Sequence, residues 1–222
     1  MQNKRIYGNE TKYLEEVLNT EFRASSGAMM MKRFETAFSK RFNSTHGIAF
    51  VNGTATMHAA LEAWGIGPGD EVIVPPLTMA STSFAVLQCN ATPVFADVDP
   101  DTFQISPESI EKCITKNTKA IITVALFGLS PDMDPIMKIA RNKNLKVIED
   151  NAECFLGKYK GKIAGTIADC GSFSFQNSKH LTSGEGGILI TNDDDFAGKV
   201  RKVMSLGYAG VSAKSGKVTR EE

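Results

Sequence analysis

Three short segments of this sequence carry residue types with chemistry to offer. Gly53-Thr54-Ala55 separates a short apolar run from a helical pattern. A turn of small residues entering a helix leaves N–H groups without intrahelical partners at the positive helix end, and Thr54 adds a hydroxyl. Such a turn can cradle a phosphate; read by itself it is also an ordinary helix cap. It is neither G-x-G-x-x-G nor G-x-x-x-x-G-K-[ST], so dinucleotide and nucleoside-triphosphate binding lack their usual signal. Glu149-Asp150 closes a strand pattern, and the carboxyl ends of parallel strands line the functional crevice of open α/β sheets. A carboxylate there holds a cationic nitrogen by a charge-assisted hydrogen bond, or caps the following loop. Glu153 is near enough along the chain to share the site.

The third segment runs from Ser172 to Gly187 and sets Lys179 among small polar residues, followed by Gly184, Gly186 and Gly187. Small residues let a ligand approach closely, and a lysine amine whose pKa is depressed by its neighbours forms Schiff bases. For any one lysine, a solvated surface position is the simpler reading. Cradle, strand-end aspartate and loop lysine, in that order, are together what pyridoxal phosphate needs. The phosphate sits at a helix N-terminus, the aspartate keeps the pyridine nitrogen protonated, and the lysine bonds the cofactor and then shuttles protons.

The elements that must position these segments alternate in type. Apolar residues at helical spacing predict helices over Glu10 to Phe22 and Met29 to Phe42. The run Gly47 to Val51 reads as a buried strand, and Asn52-Gly53-Thr54 turns into a helix from Ala55 to Trp64. Strands at Glu71–Val74, Pro93–Ala96, Lys119–Val124 and Lys146–Glu149 alternate with helices at Ser81–Gln88, Pro107–Ile114 (Ser106 as N-cap) and Pro135–Asn142. Strands buried on both faces read as apolar runs of this kind. The order predicts an α/β fold, a three-layer sandwich with a mostly parallel central sheet. After Asp150 come shorter strands at Gly171–Phe175 and Gly187–Thr191 and a helix at Asp194–Met204.

Composition narrows the function classes. At 222 residues the chain is one domain or about one and a half, at about 150 residues per domain, and needs no disulfide or metal staple. Its 25 Lys+Arg balance 25 Asp+Glu, which argues against a chain that coats nucleic acid or an anionic membrane. The four cysteines, Cys89, Cys113, Cys154 and Cys170, form no C-x-x-C pair, and no His/Cys/Asp spacing suggests a metal site. They read as free thiols in a reducing cytoplasm. The polar start Met1 to Arg5 precedes no apolar signal region, and the longest apolar stretch, Ala120 to Leu129, is too short to span a bilayer.

On these residues the chain resembles the DegT/DnrJ/EryC1/StrS sugar aminotransferases, a group of fold-type I pyridoxal-phosphate enzymes. The resemblance runs from about Arg33 to about Gly207. It rests on Asn52-Gly-Thr-Ala55, Gly67-Pro-Gly-Asp-Glu-Val-Ile-Val74, Pro93-Val-Phe-Ala-Asp-Val98, Ile148-Glu-Asp-Asn-Ala-Glu153, Phe173-Ser-Phe175, and Lys179 with Thr182-Ser-Gly-Glu-Gly-Gly187. It implies a large domain with a mainly parallel seven-stranded sheet and a smaller C-terminal domain that this sequence lacks. Residues 1–30 then form an N-terminal helical segment, 31–207 the cofactor-binding large domain, and 208–222 a polar, flexible tail.

The resemblance makes Lys179 the aldimine lysine and Asp150 the partner of the pyridine nitrogen. Gly53, Thr54 and Ala55 fall in the phosphate-binding turn, and Ser174 adds a hydroxyl to the phosphate. Glu153 takes a position that is commonly glutamine and contacts the cofactor's phenolic oxygen; glutamate there points toward a GDP-linked 4-keto-6-deoxy sugar. Met79 takes a position that often carries an aromatic residue, and a thioether covers a ring face more loosely. Family members that became sugar dehydratases carry histidine at the lysine position, so Lys179 favours transamination. The implied reaction moves an amine from an amino acid such as glutamate to a nucleotide-linked keto-sugar, in a homodimer. Other pyridoxal-phosphate chemistry, or a fragment without catalysis, are the alternatives. No helix-turn-helix supports DNA binding.

Overall fold

The computed structural model describes residues 8–21, 27–205, 210–211 and 218–219. Helices α1 (Glu10–Asn19) and α2 (Met30–Phe42) precede β1 (His46–Phe50) and α3 (Gly53–Ala63). Then come β2 (Glu71–Val74), α4 (Ser81–Gln88), β3 (Thr92–Phe95), α5 (Pro107–Cys113), β4 (Thr118–Val124), α6 (Met133–Lys143) and β5 (Lys146–Asp150). A small antiparallel pair, β6 (Lys158–Tyr159) with β7 (Lys162–Ile163), leads to β8 (Cys170–Ser174), β9 (Gly187–Thr191) and α7 (Asp194–Met204). Phe22, expected on the first helix, lies outside the described residues, as does most of the expected tail. Within that tail, β10 (Gly210–Val211) pairs antiparallel with β11 (Val218–Thr219).

Seven strands form one sheet in the order β1-β9-β8-β5-β4-β2-β3. β3, β2, β4, β5 and β8 are parallel neighbours, and β9 lies antiparallel to both β8 and β1. The expected α/β sandwich with a mostly parallel central sheet is thus present. One direction departs from the simple β-α-β rhythm: the link from β8 to β9 holds no crossover helix, and β9 returns antiparallel.

Side-chain alternation splits each central strand between two cores. Ile122 of β4, Ile148 of β5 and Leu189 of β9 pack with Met57, Leu61, Val86 and Val200 of α3, α4 and α7. Ile121 and Val147 face the other way, onto Ile110, Met133 and Ile136 of α5 and α6. Each of these side chains is fully buried and stabilises the fold by roughly 1.5–3 kcal/mol. A third cluster joins α2 to β8 and β9: Phe38 and Phe42 stack at 4.3 Å, and Phe173 meets Phe42 edge-on at 4.8 Å. Arg201 of α7 donates to the buried Glu35 carboxylate of α2 at 3.0 Å, and Glu35 also accepts the Ala49 N–H at 2.9 Å.

Candidate active site

The chain leaves β2 outward to β3, while β4 lies on the other side of β2. Ligand crevices of open α/β sheets open at such a reversal, beyond the carboxyl ends of the strands. A cavity of about 460 Å³ lies there. Its walls come from the segments that follow β1 (Asn52, Gly53, Thr54), β2 (Thr78, Met79) and β8 (Gln176, Lys179), and from Val124, Asp150 and Ser174 at the ends of β4, β5 and β8.

The turn into α3 is built by backbone contact. Asn52, in extended conformation, caps the helix: its Oδ1 accepts the Ala55 N–H at 2.8 Å. The helix therefore starts at Gly53, two residues before the position expected from apolar spacing. Among the described residues, the Gly53 and Thr54 N–H groups have no hydrogen-bond partner, as the first donors of a helix require one from outside. A Cβ on Gly53 would sit 3.1 Å from the Ser174 Cβ, and one on Gly187 only 2.4 Å from the Asn52 carbonyl. Thr56 Oγ1 lies 2.5 Å from Ser172 Oγ and donates to the Gly53 carbonyl at 2.7 Å, tying the turn to β8.

Asp150, the last residue of β5, lies on the α3/α4 side of the sheet, the side of Ile148. Its carboxylate is buried, accepting the Ala152 N–H at 3.1 Å and the Thr82 hydroxyl of α4 at 3.4 Å. Burial pushes its pKa up to about 6, against the Ala152 N–H, the positive charge of Lys179 and the Thr82 hydroxyl, which pull it down. Glu149, one residue earlier, faces the opposite side. Its two oxygens accept three N–H groups, from Gly165 (2.8 Å), Ile167 (2.7 Å) and Ala168 (2.8 Å). Burial raises its pKa and these donors lower it, burial being the larger effect. Glu149 thus anchors the loop before β8 and does not line the cavity.

Lys179 Nζ donates to Glu153 Oε1 at 3.4 Å, and Glu153 Oε2 accepts the Phe127 N–H at 3.1 Å. Phe127 holds a left-handed backbone (φ 56°) in the turn after β4. The lysine loop closes on one carbonyl: Phe175 O accepts from Ser183 N (3.1 Å) and Thr182 Oγ1 (3.0 Å). Phe175 itself is buried against Phe34 and Phe38 of α2.

The structure brings Gly53, Thr54, Met79, Asp150, Glu153, Ser174 and Lys179 to one cavity. Ala55 is the exception: its N–H serves the Asn52 cap, and it does not line the space. Met79 is largely exposed, at 64%. Thr82 on Asp150 and Phe127 on Glu153 leave no signal in the sequence, because both contacts are long-range. Gly187, expected to let a ligand approach, is needed instead against the Asn52 backbone.

Residues 4–221 match the DegT/DnrJ/EryC1/StrS aminotransferase family, and the chain belongs to it. It is 47% identical over 203 residues to a GDP-perosamine synthase of Caulobacter vibrioides, covering 91% of this chain and 54% of that one. The chain thus spans about half the length of the curated relatives it matches. Among solved structures, an aminotransferase from Psychrobacter cryohalolentis superposes with a TM-score of 0.87 at 39% identity, covering 91% of this chain and 52% of that one. NtdA from Bacillus subtilis, with bound cofactor PMP, gives a TM-score of 0.78 at 32% identity, over 94% and 48%.

Among the described residues no helix is long and apolar enough to cross a membrane.

Proposed function

We propose that the chain binds pyridoxal phosphate and serves a sugar aminotransferase, moving an amine from an amino acid, glutamate in our reading, to a nucleotide-linked keto-sugar. The observation that carries this is convergence: a helix start with unpartnered N–H groups, a buried strand-end carboxylate and a lysine meet in one cavity. The residues fit the cofactor. At Gly53 and Gly187 any Cβ would crowd the turn that offers the N–H groups. Asp150 is a buried acid short of donors, suited to a ring N–H⁺.

When bound, pyridoxal phosphate supplies an electron sink for the carbon that gains or loses its amine. Gly53 and Thr54 would hold the phosphate by backbone N–H groups at the positive end of α3, with the Ser174 hydroxyl beside them. Asp150 keeps the ring nitrogen protonated. Met79 would cover a ring face, and Glu153, 3.4 Å from Lys179 Nζ, would orient the lysine. Lys179 would hold the cofactor through its amine, and its Nζ would be the group that carries a proton to and from the reacting carbon.

The sugar substrate rests on the GDP-perosamine synthase relative and on Glu153 in the position that the family resemblance ties to such sugars. A homodimer is part of the same reading. Exposed Leu77 and Phe127 adjoin the cavity residues Thr78 and Leu126, and exposed Met79 lines the cavity itself, an apolar rim suited to a second copy. A cytoplasmic location is supported by four free thiols.

Mixing the purified chain with pyridoxal phosphate tests the cofactor. The expected result is a visible absorbance band, fixed by borohydride as a mass on Lys179 and absent from Lys179→Ala. No band in the unaltered chain, or an unchanged band in the variant, overturns the reading. Incubation with glutamate then separates transamination, which yields 2-oxoglutarate, from other reactions on the same cofactor. Light scattering tests the dimer.

A further inference from the structure

A second cluster of chemically active side chains lies away from this cavity, on the pair of helices that flank it. His58 and Glu62 stand one turn apart on α3, with Nε2 and Oε1 3.4 Å from each other. α4 ends at Gln88, and the next residue, Cys89, is buried with its thiol turned back toward α3. Its Sγ lies 3.7 Å from the His58 carbonyl and 3.5 Å from the Ala85 carbonyl. One ligand atom each from His58, Glu62 and Cys89 falls within 4.8 Å of the others. In sequence Cys89 is remote from the other two, so spacing along the chain conceals the trio; packing of α4 on α3 assembles it.

We propose that His58, Glu62 and Cys89 form a binding site for a divalent cation of the zinc class, with water as fourth ligand. The donor set argues for this class. One imidazole nitrogen, one carboxylate oxygen and one sulfur suit zinc or cobalt, whereas magnesium and calcium take oxygen shells. Size agrees as well. Bonds of about 2.0–2.1 Å to nitrogen and oxygen give a tetrahedral edge of about 3.4 Å, the spacing that His58 and Glu62 already have. The sulfur side must close by roughly an ångström, within reach of small χ rotations of His58 and Glu62. Those two side chains are 33% and 44% exposed, so they can turn and an ion has an entry path, while Cys89 supplies a fixed buried end.

The site's position gives it a consequence. α3 begins with the Gly53-Thr54 turn, and α4 carries Thr82, which donates to Asp150. An ion held between these helices braces both walls of the cavity from behind. The site does not depend on pyridoxal phosphate, and its test uses none.

The metal-free chain is titrated with Co²⁺. The expected result is one equivalent bound, with a thiolate-to-cobalt charge-transfer band and the intense visible bands of tetrahedral cobalt. Zn²⁺ should displace it and raise the thermal unfolding midpoint, whereas Mg²⁺ should do neither. Cys89→Ala should abolish the charge-transfer band. His58→Gln, a change at a half-exposed side chain, should weaken binding at least tenfold without loss of fold by circular dichroism. No charge-transfer band in the unaltered chain, or a band that survives either substitution at unchanged affinity, overturns the proposal.

Discussion

Two carboxylates stand side by side at the end of β5, yet they occupy opposite environments. Glu149 faces the α5/α6 side and accepts three backbone N–H groups from the loop before β8. Asp150 faces the α3/α4 side with one N–H, one hydroxyl at 3.4 Å and the charge of Lys179 nearby. Both are buried, and burial raises both pKa values. A buried acid surrounded by donors from its own chain is structural. One with fewer donors, bordering a cavity, has room for a cation from outside. This contrast separates the residue that builds the domain from the residue that equips it.

The sharpest way to break the comparison is a pair of amide substitutions. Asp150→Asn should lower transamination on the order of 10²–10⁴-fold while leaving urea stability unchanged or higher, since a buried charge is removed. Turnover and urea midpoint, measured on one preparation, check this; an active Asp150→Asn protein refutes the assignment. Glu149→Gln should do the reverse. Its amide nitrogen would face an N–H donor, Gly165 or Ile167 and Ala168, at a cost of about 1–3 kcal/mol. Equilibrium unfolding reads that loss directly.

A pH series sharpens the contrast next. Asp150 is ionised only above about pH 6, so affinity for the protonated cofactor should fall up to about tenfold per unit as pH drops below that value. Spectrophotometric titration from pH 8 to about pH 5 gives the curve; a flat response excludes Asp150 as the ring-nitrogen partner. In the free chain the sign is opposite. The folded state holds this proton more tightly than the unfolded state, so the contribution to stability is complete below the ordinary aspartate pKa. It is lost as pH rises through about 6. The smallest effect belongs to Thr82→Val. Removing the hydroxyl that favours the charged form should move the binding midpoint upward by less than about one unit, or about 0.5–1.4 kcal/mol. A downward shift would show that Thr82 does not act through Asp150.

Much of this fold is legible along the chain, for local reasons. β2, β9, α4 and α7 match their expected bounds; for α7 the helical face begins at a clear cap. The Asp193 carboxylate, for example, accepts the Phe196 N–H at 2.9 Å at the start of α7. Boundaries shift where a side chain extends an element, as Asn52 does for α3. The β6–β7 pair and the Phe127 turn were not foreseen. The first is two residues per strand, below any period, and the second is a left-handed aromatic residue held by a distant Glu153. Ala55 adjoins Gly53 and Thr54 in the chain, and only the cap geometry sets it apart from them.

The sequence by itself determined which segments become the sheet's strands and the main helices, that the sheet is mostly parallel, and which three segments offer the candidate cradle, the acid and the lysine. Those properties follow from apolar spacing, capping residues and residue type, all of which act within a few positions. Tertiary structure alone decided that β9 runs against its neighbours and that Glu149 is bound by a loop 16 to 19 residues away while Asp150 opens on the cavity. It also decided that Cys89 meets His58 and Glu62. Strand pairing and helix packing bring together residues whose separation in the chain carries no signal, and a two-residue side-chain period then sorts adjacent carboxylates to opposite faces.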